Sequence, residues 1–272
     1  MPRLILHLSL LLFSCVLVSC KHSQPILRLG ITTTQEDSGL LRLITQSFEQ
    51  EHNIKIVPVI AGSGQLFRLI QRGEVDIAIT HEPEGEQALL KQGIIEQRIP
   101  VFYNFFLLIG PNHNPANIQG TDSLSEAFRK LLVPKVLFVS RGDNSGTHKA
   151  EQAIWNIVAP KKKVRTITTG TGMGLTLRVA IEKQGYTLTD WGTWLHLNNK
   201  HNLKALWPAL PSPLDLQALP NARSLLHNPY SLLVIRSDYS PAIIFQRWLI
   251  DSRHELVSHY HINHQRVFFV EN

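Results

Sequence analysis

Apolar positions in this chain form short β-branched runs that alternate with amphipathic stretches. Ile26 to Ile31 predicts a first strand, followed by a hydroxyl-rich loop, Thr32 to Gly39. Leu40, Leu41, Ile44 and Phe48 recur at helical spacing. Ile54 to Ile60 predicts a second strand, and Leu66, Leu69 and Ile70 a helix stopped by Gly73. Val75 to Thr80 predicts a third strand, with a short helix ending at Gly93. Ile99 to Gly110 is apolar and aromatic throughout, about twice the usual strand length, and predicts a strand that crosses between two lobes.

Residues 111–122 carry Pro111, Asn112, Asn114, Pro115, Asn117 and Gly120 and predict a surface loop. A helix over Leu124 to Leu132 and a strand over Lys135 to Val139 follow, then a helix through Ala153, Ile154, Ile157 and Val158. Val164 to Thr168 predicts a strand and Leu177, Ala180 and Ile181 a helix. Residues 207–224, rich in Pro and Leu, read as irregular. Tyr230 to Arg236 predicts a second crossing strand. Two helical segments, Ile243 to Leu249 and Glu255 to Tyr260, and a last strand, Val267 to Val270, end the pattern.

Strands alternating with helices argue for α/β sheets, and such sheets hold ligands at the carboxyl ends of their strands. Four strand-to-helix junctions carry clusters of Ser, Thr and Gly: Thr32–Gly39, Gly62–Gly64, Ser140–Thr147 and Thr169–Gly174. Two lie in each half of the chain, which predicts a site shared between two lobes. The densest is Ser140-Arg141-Gly142-Asp143-Asn144-Ser145-Gly146-Thr147-His148. Arg141 supplies a fixed charge and a fork of donors, and Ser140, Ser145 and Thr147 supply hydroxyls. Gly142 and Gly146 let backbone come close, and a helix N-terminus presents free N–H groups. The set suits an anion. An ordinary capped helix uses the same turn residues.

Composition narrows the classes. The 272 residues suffice for two modest domains, and 43% hydrophobic with 18% charged residues is globular. The net charge of +6 is mild, and Lys161-Lys162-Lys163 is the densest basic run, so no nucleic-acid partner is expected. Arg3 and the apolar run from Leu4 to Val18, ending Leu17-Val18-Ser19-Cys20, read as an export leader over residues 1–19. Leu-Val-Ser-Cys resembles a bacterial lipobox, with lipid attached to Cys20. Cys15 and Cys20 are the only cysteines. An exported chain cut there would have no internal disulfide, and its acyl chains would tether it to a membrane face.

Further motifs are Asp37-Ser38-Gly39-Leu40-Leu41 after the threonines, Gly62-Ser63-Gly64-Gln65, Gly73-Glu74-Val75-Asp76, His81-Glu82-Pro83 and Tyr103-Asn104. Gly170-Thr171-Gly172-Met173-Gly174 with Thr176-Leu177, Tyr186 to Asp190, and Asn228-Pro229-Tyr230 complete the order. Together with the Arg141 motif and Glu151, this set resembles the substrate-binding component of bacterial tungstate ABC importers, relatives of type II periplasmic binding proteins. Where that family usually reads Asp-Arg-Gly-Thr, this chain has Asp190-Trp191-Gly192-Thr193, and Ala205 to Arg223 matches no part of the family pattern.

The resemblance implies an α/β, two-lobed type II periplasmic-binding-protein fold with mixed and parallel sheets and a ligand cleft between the lobes. It places the first lobe at residues 20–106 and 230–272, and the second at 107–229. It implies a binding protein, not an enzyme. Its ligand would be tungstate or molybdate, its shell Thr33, Thr34, Ser63, Arg141, Ser145, Thr147, Thr171 and Gly172. Implied partners are a permease and a separate ATPase, with the chain itself a monomer, exported and lipid-anchored. No cofactor and no metal site are expected.

Both anions are tetrahedral dianions whose oxygens only accept hydrogen bonds, so the shell should present donors and no unpaired acceptor. Asp143 is expected to orient Arg141 or cap the helix. Asp37 and Asp190 are the other carboxylates near the motifs, and one of them pointing into the cleft would favour a protonated anion such as hydrogenphosphate. Another oxyanion, phosphate or sulfate, is the nearest alternative, because the Ser145-Gly146-Thr147 turn also resembles that of phosphate-type binding proteins. A hydrolase would recruit Ser145 and His148 with Asp190, without a Gly-x-Ser-x-Gly elbow. Gly170-x-Gly172-x-Gly174 is not a dinucleotide fingerprint. His254, His259, His261 and His264 have irregular spacing and no Cys, and read as solvent-facing. Trp191 and Trp194 read as core or rim. A sensory role for a tethered binding protein is a further reading.

Overall fold

The computed structural model describes residues 24–158, 164–197, 200, 202–208 and 223–270. The leader with Cys20, the run Lys161-Lys162-Lys163 and most of the Pro- and Leu-rich stretch lie outside the described residues.

The first lobe is built on strands β1 (Ile26–Thr32), β2 (Lys55–Ala61), β3 (Ile77–Thr80), β4 (Gln97–Pro111) and β9 (His227–Val234), in the order β2-β1-β3-β9-β4. β1 lies parallel to both β2 and β3, whereas β9 runs antiparallel to β3 and β4. The parallel strands alternate with α1 (Thr33–Asp37), α2 (Leu40–Glu51), α3 (Ser63–Gln71) and α4 (Pro83–Lys91). Side chains alternate between the faces of a strand. Ile77, Ile79 and Leu232 therefore join Leu27, Leu29, Ile44 and Phe48 on one face, beneath Phe245 and Leu249. Ala78 and Leu233 join Leu66, Ile70 and Leu89 on the other.

β4 is the strand that serves both lobes. Its 15 residues reach about 50 Å at strand rise. Gln97 to Phe105 pair with β9. From Phe106 onward it pairs instead with β7 (Thr187–Asp190), and from Leu108 also with β8 (Leu203–Trp207). The remaining second-lobe strands are β5 (Leu137–Ser140) and β6 (Arg165–Thr168), a parallel pair joined to the β7 segment by a bridge from Phe138 to Tyr186. Around them pack α5 (Leu124–Lys130), α6 (Gly146–Val158), α7 (Met173–Lys183), α8 (Trp191–His196) and α9 (Arg223–Leu226). Phe105, Phe106, Leu108, Phe128, Phe138 and Ile154 centre the second core. The first core reaches across as well, through Met173, Leu177 and Ala180 of α7.

Three departures from the sequence pattern have local causes. Thr33–Asp37 is a short helix, not a loop. Gln35 Oε1 accepts from the Thr32 N–H and hydroxyl, and Gln35 Nε2 donates to the Ile79 carbonyl, which closes that turn over β3. The two C-terminal helical segments are one helix, α10 (Ser240–Ser258): Asp251 and His254 face solvent while Leu256 and Val257 continue the buried stripe. The last strand reduces to a hairpin, β10 (His261–Ile262) with β11 (Gln265–Arg266), and one bridge from Phe269 to Tyr103. β8 was not foreseen, because its segment lacks the β-branched run that marks the other strands. Among the described residues no helix is long and apolar enough to cross a membrane.

Candidate functional site

The donor-rich junctions meet at the carboxyl ends of β1, β2, β5 and β6. Thr32 and Ala61 are register partners at the ends of parallel neighbours, so Thr33 at the start of α1 and Ser63 at the start of α3 lie side by side. β5 and β6 repeat this in the other lobe, where Ser140 pairs Thr168. The Thr169 N–H donates to the Ser140 carbonyl at 3.0 Å, and the Gly170 N–H to the Arg141 carbonyl at 2.7 Å. Gly142, at φ +62°, holds a left-handed turn, and a Cβ there would strike Thr168 Cγ2. The loop bearing Arg141 is thereby pinned against the loop bearing Thr171.

Arg141 is the largest fully buried side chain among the described residues, and it bridges the lobes. Its Nη1 donates to Thr34 Oγ1 at 2.9 Å and to Thr147 Oγ1 at 3.4 Å. Its Nη2 donates to Asp143 Oδ2 at 2.5 Å, and Asp143 Oδ1 accepts the Ser145 N–H at 3.2 Å. Asp143 thus aims the guanidinium and caps the turn. Arg141 Nε is buried with no protein partner, and so are Thr33 Oγ1, Ser63 Oγ and Thr171 Oγ1. Buried polar atoms are rarely left unpaired, and four of the eleven such side-chain atoms among the described residues belong to the candidate shell. Gly172 packs against Thr33: a Cβ on it would sit 3.2 Å from the Thr33 hydroxyl and 3.7 Å from Asp37 Oδ2.

The shell residues differ in what they do locally. Thr34, Arg141 and Thr147 are tied by hydrogen bonds. Thr33 and Gly172 touch across the lobes, and Ser63 shares the β1–β2 end with Thr33. Ser145 is buried, and its hydroxyl accepts the His148 N–H at 3.3 Å as a helix cap for α6. Behind them Glu151 Oε2 accepts the Ser140 hydroxyl at 2.9 Å, and burial pushes this carboxyl up to about 7.

The carboxylates near the motifs are engaged. Asp190 is buried, accepts the Thr193 N–H and hydroxyl at the start of α8, and is raised by that burial. Asp37 Oδ2 accepts the Gly174 N–H at 2.9 Å across the cleft. Trp191, at the position of the expected Arg, lies in the core, its indole N–H donating to the Arg266 carbonyl at 2.9 Å. Trp194 is core as well.

The alternative Ser–His chemistry is not assembled. His148 Nδ1 accepts the Asn144 N–H at 3.0 Å, an intraloop contact, and Asp190 serves Thr193 and Asn104. Among the described residues no three His, Cys, Asp or Glu side chains converge to hold a metal. His254, His259, His261 and His264 are all exposed.

The sequence reading did not place His81, the Asp37–Gly174 tie or the pairing of Glu82 with Lys149 in the site. Glu82 accepts the Gly85 N–H at the start of α4 and takes Lys149 of α6 as an ion-pair partner between the lobes. Beside this pair opens a cleft of about 300 Å3, lined by His81, Phe106, Gly146, Asn228 and Pro229 among others. None of the four unpartnered donors lines it. His81 follows β3 at the same sheet edge as Thr33, which was the available clue, but its junction, Thr80-His81-Glu82-Pro83-Glu84-Gly85, carries no dense cluster of Ser, Thr and Gly.

Comparison with known proteins agrees with this fold. A family model described as a PBP superfamily domain matches residues 21–252. The tungstate-binding protein TupA of Peptoclostridium acidaminophilum is 30% identical over 234 residues, covering 83% of this chain and 77% of that protein. The tungstate ABC transporter structure from Geobacter sulfurreducens superposes with a TM-score of 0.75 at 29% identity, over 86% of this chain and 98% of that one. The tungstate-binding protein TupA from Desulfovibrio alaskensis gives 0.72 at 28% identity, over 91% and 99%. The two-lobed fold and the match over most of its length place this chain in the PBP superfamily, within the family of the tungstate-binding proteins of ABC transporters.

Proposed function

We propose that this protein captures a tetrahedral oxyanion, tungstate first and molybdate second, outside the cytoplasm and delivers it to an ABC permease driven by a separate ATPase. The observation that carries the reading is the set of buried donors without protein partners, Thr33, Ser63, Thr171 and Arg141 Nε, contributed by both lobes. A fully ionised tetrahedral anion accepts at all four corners and needs such a shell. Thr34, Ser145, Thr147 and Gly172 complete it. The lobes, at residues 20–106 with 230–272 and at 107–229, close on the anion through the Arg141–Thr34 contact. An exported chain carrying lipid on Cys20 would hold this site at the membrane face, as a monomer. The role is binding, without catalysis.

The relatives named for tungstate binding support the choice of anion. Phosphate or sulfate is the second reading; Asp37, whose carboxylate lies beside Gly172, favours the one of the two that carries a proton, phosphate. Thermal unfolding against tungstate, molybdate, sulfate and phosphate tests both, since a tight ligand raises the midpoint by mass action. Tungstate should give the largest rise. A rise with phosphate alone would replace the first reading with the second, and no rise with any of the four would end both.

A further inference from the structure

His81 is a buried side chain that the donor shell does not yet use. Its ring stacks on Tyr230, centroids 5.2 Å apart and 16° from parallel, and Nδ1 lies 2.9 Å from Asn228 Oδ1. Asn228 Nδ2 donates to Asn104 Oδ1 at 2.7 Å and to the Tyr230 hydroxyl at 3.1 Å, which turns the amide oxygen toward the ring. An amide oxygen only accepts, so Nδ1 carries the hydrogen. In a neutral ring that leaves a lone pair on Nε2, and Nε2 is buried with no protein partner. The Nδ1–Cε1 edge of the ring faces Gly146: a Cβ there would lie 3.1 Å from Nδ1 and 3.2 Å from Cε1, the atom next to Nε2. Gly146 belongs to the Ser145–Thr147 turn of the shell.

We propose that His81 Nε2 is a further ligand of the bound oxyanion, joined to it through a proton taken up from solvent as the lobes close. The inference rests on the oxyanion reading above. A bare lone pair against an anion oxygen is repulsive, and a proton between them turns that repulsion into a charge-assisted hydrogen bond. The charged and titratable neighbours set the balance. Burial first, and Arg141 well after it, hold the ring neutral, down to about 4, while the hydrogen bond to Asn228 and, less, Asp143 pull the other way. Tyr230 on β9 is held un-ionised by its own burial. Glu82, the next residue, is turned to Gly85 and Lys149, and Asp190 reaches the ring only through Asn104 and Asn228. A dianion beside Nε2 sets two negative charges against burial and Arg141 and so favours the charged ring. Affinity then falls as pH rises, by about tenfold per unit where the ring is neutral alone and charged with the anion.

The test is calorimetric titration of the protein with tungstate at pH 7 in two buffers of different ionisation enthalpy. Uptake of about one proton per anion is expected. In His81→Gln, uptake should vanish while weaker binding persists. Nitrogen NMR of the ring in the unmutated protein guards against a variant that fails to fold: tungstate should shift it to the imidazolium pattern. Binding without proton uptake, equal uptake in His81→Gln, or a ring that stays neutral with tungstate bound overturns the assignment and leaves the oxyanion reading standing. Absence of binding by any of the four oxyanions overturns both.

Discussion

Asp37 and Gly174 meet across the cleft: an Asp37 carboxylate oxygen accepts the Gly174 backbone N–H at 2.9 Å. Asp37 ends α1 in the first lobe and Gly174 lies in the first turn of α7 in the second. The bond satisfies one of the helix N–H groups that lack an intrahelical partner. It also sets a negative charge beside Gly172, at the edge of a shell otherwise made of donors.

That charge separates the two anion readings. Asp37→Asn keeps an oxygen for the Gly174 N–H and removes a like charge from the neighbourhood of the dianion. Tungstate should bind the variant several-fold more tightly. A protonated anion would lose its acceptor and bind less well. Calorimetric titration with tungstate and with phosphate, side by side, reads the sign of each change.

Arg141 should dominate affinity. Its guanidinium is buried, and Asp143, Thr34 and Thr147 fix its orientation. Arg141→Ala is expected to weaken oxyanion binding by about 2–5 kcal/mol, the scale of truncating one side of a buried charged contact. Arg141→Lys should recover only part, because a point charge cannot donate to Thr34 and Asp143 in one plane. Unchanged affinity in Arg141→Ala, by calorimetry, would remove this site from consideration.

The unpartnered hydroxyls should behave unlike ordinary buried ones. Thr33 Oγ1, Ser63 Oγ and Thr171 Oγ1 make no hydrogen bond within the protein. Thr33→Ala, Ser63→Ala and Thr171→Ala therefore break none, and ligand-free melting should stay close to the parent. Each should nonetheless cost about 1–3 kcal/mol of anion affinity, the scale of a buried hydrogen bond left unmade. Thr34→Ala makes a control, since Thr34 already accepts from Arg141 and its loss should lower melting as well. Paired melting and titration curves test the contrast.

The parts of this arrangement that the sequence made legible are those written in short-range pattern. β-branched runs ending in Ser, Thr and Gly marked the junctions of Thr33, Ser63, Arg141 and Thr171, because strand ends need turn residues and the site needs hydroxyls. β4 was legible by its length alone. Contacts between distant segments were not. His81 gains its fixed tautomer from Asn228, 147 positions away, and Asp37 finds Gly174 137 positions away. Trp191 occupies a position expected to hold an Arg; the sequence read it as core or rim, and the fold makes it core. The helix at Thr33–Asp37 was written locally, in the Thr32–Gln35 capping box, whereas the tie from Gln35 to the Ile79 carbonyl was not.

Gly146 should act as a spacer between the lobes. A Cβ at this position would run into the His81 carbonyl oxygen, which is backbone and cannot rotate aside. Gly146→Ala should therefore wedge the α6 turn away from β3 and loosen closure. The expected result is weaker tungstate binding, together with a larger radius of gyration in X-ray scattering with the anion present. An alanine variant that closes as compactly as the parent would show that the strands can shift to admit the methyl.

Glu151 offers a test of the layer behind Arg141, through pH. Its carboxyl is buried, bonded to the Ser140 hydroxyl, and pushed up to about 7 by that burial. The folded state therefore holds this proton more tightly than the unfolded chain does, where the group titrates near 4.5. Its contribution is fully present below about 4.5 and is lost as pH rises through about 7, because above that the fold must bury a charge. Between pH 6 and pH 8 the loss is roughly 1 kcal/mol, one unit of pKa-equivalent work. Glu151→Gln keeps an oxygen for Ser140 and cannot ionise, so its melting temperature should fall less than the parent's over that interval. Since Ser140 precedes Arg141, the same variant should flatten any weakening of oxyanion affinity that this ionisation causes over that interval. Melting curves at pH 6 and pH 8 for both proteins decide it: equal drops would mean that Glu151 stays charged in the folded protein and that burial does not govern it.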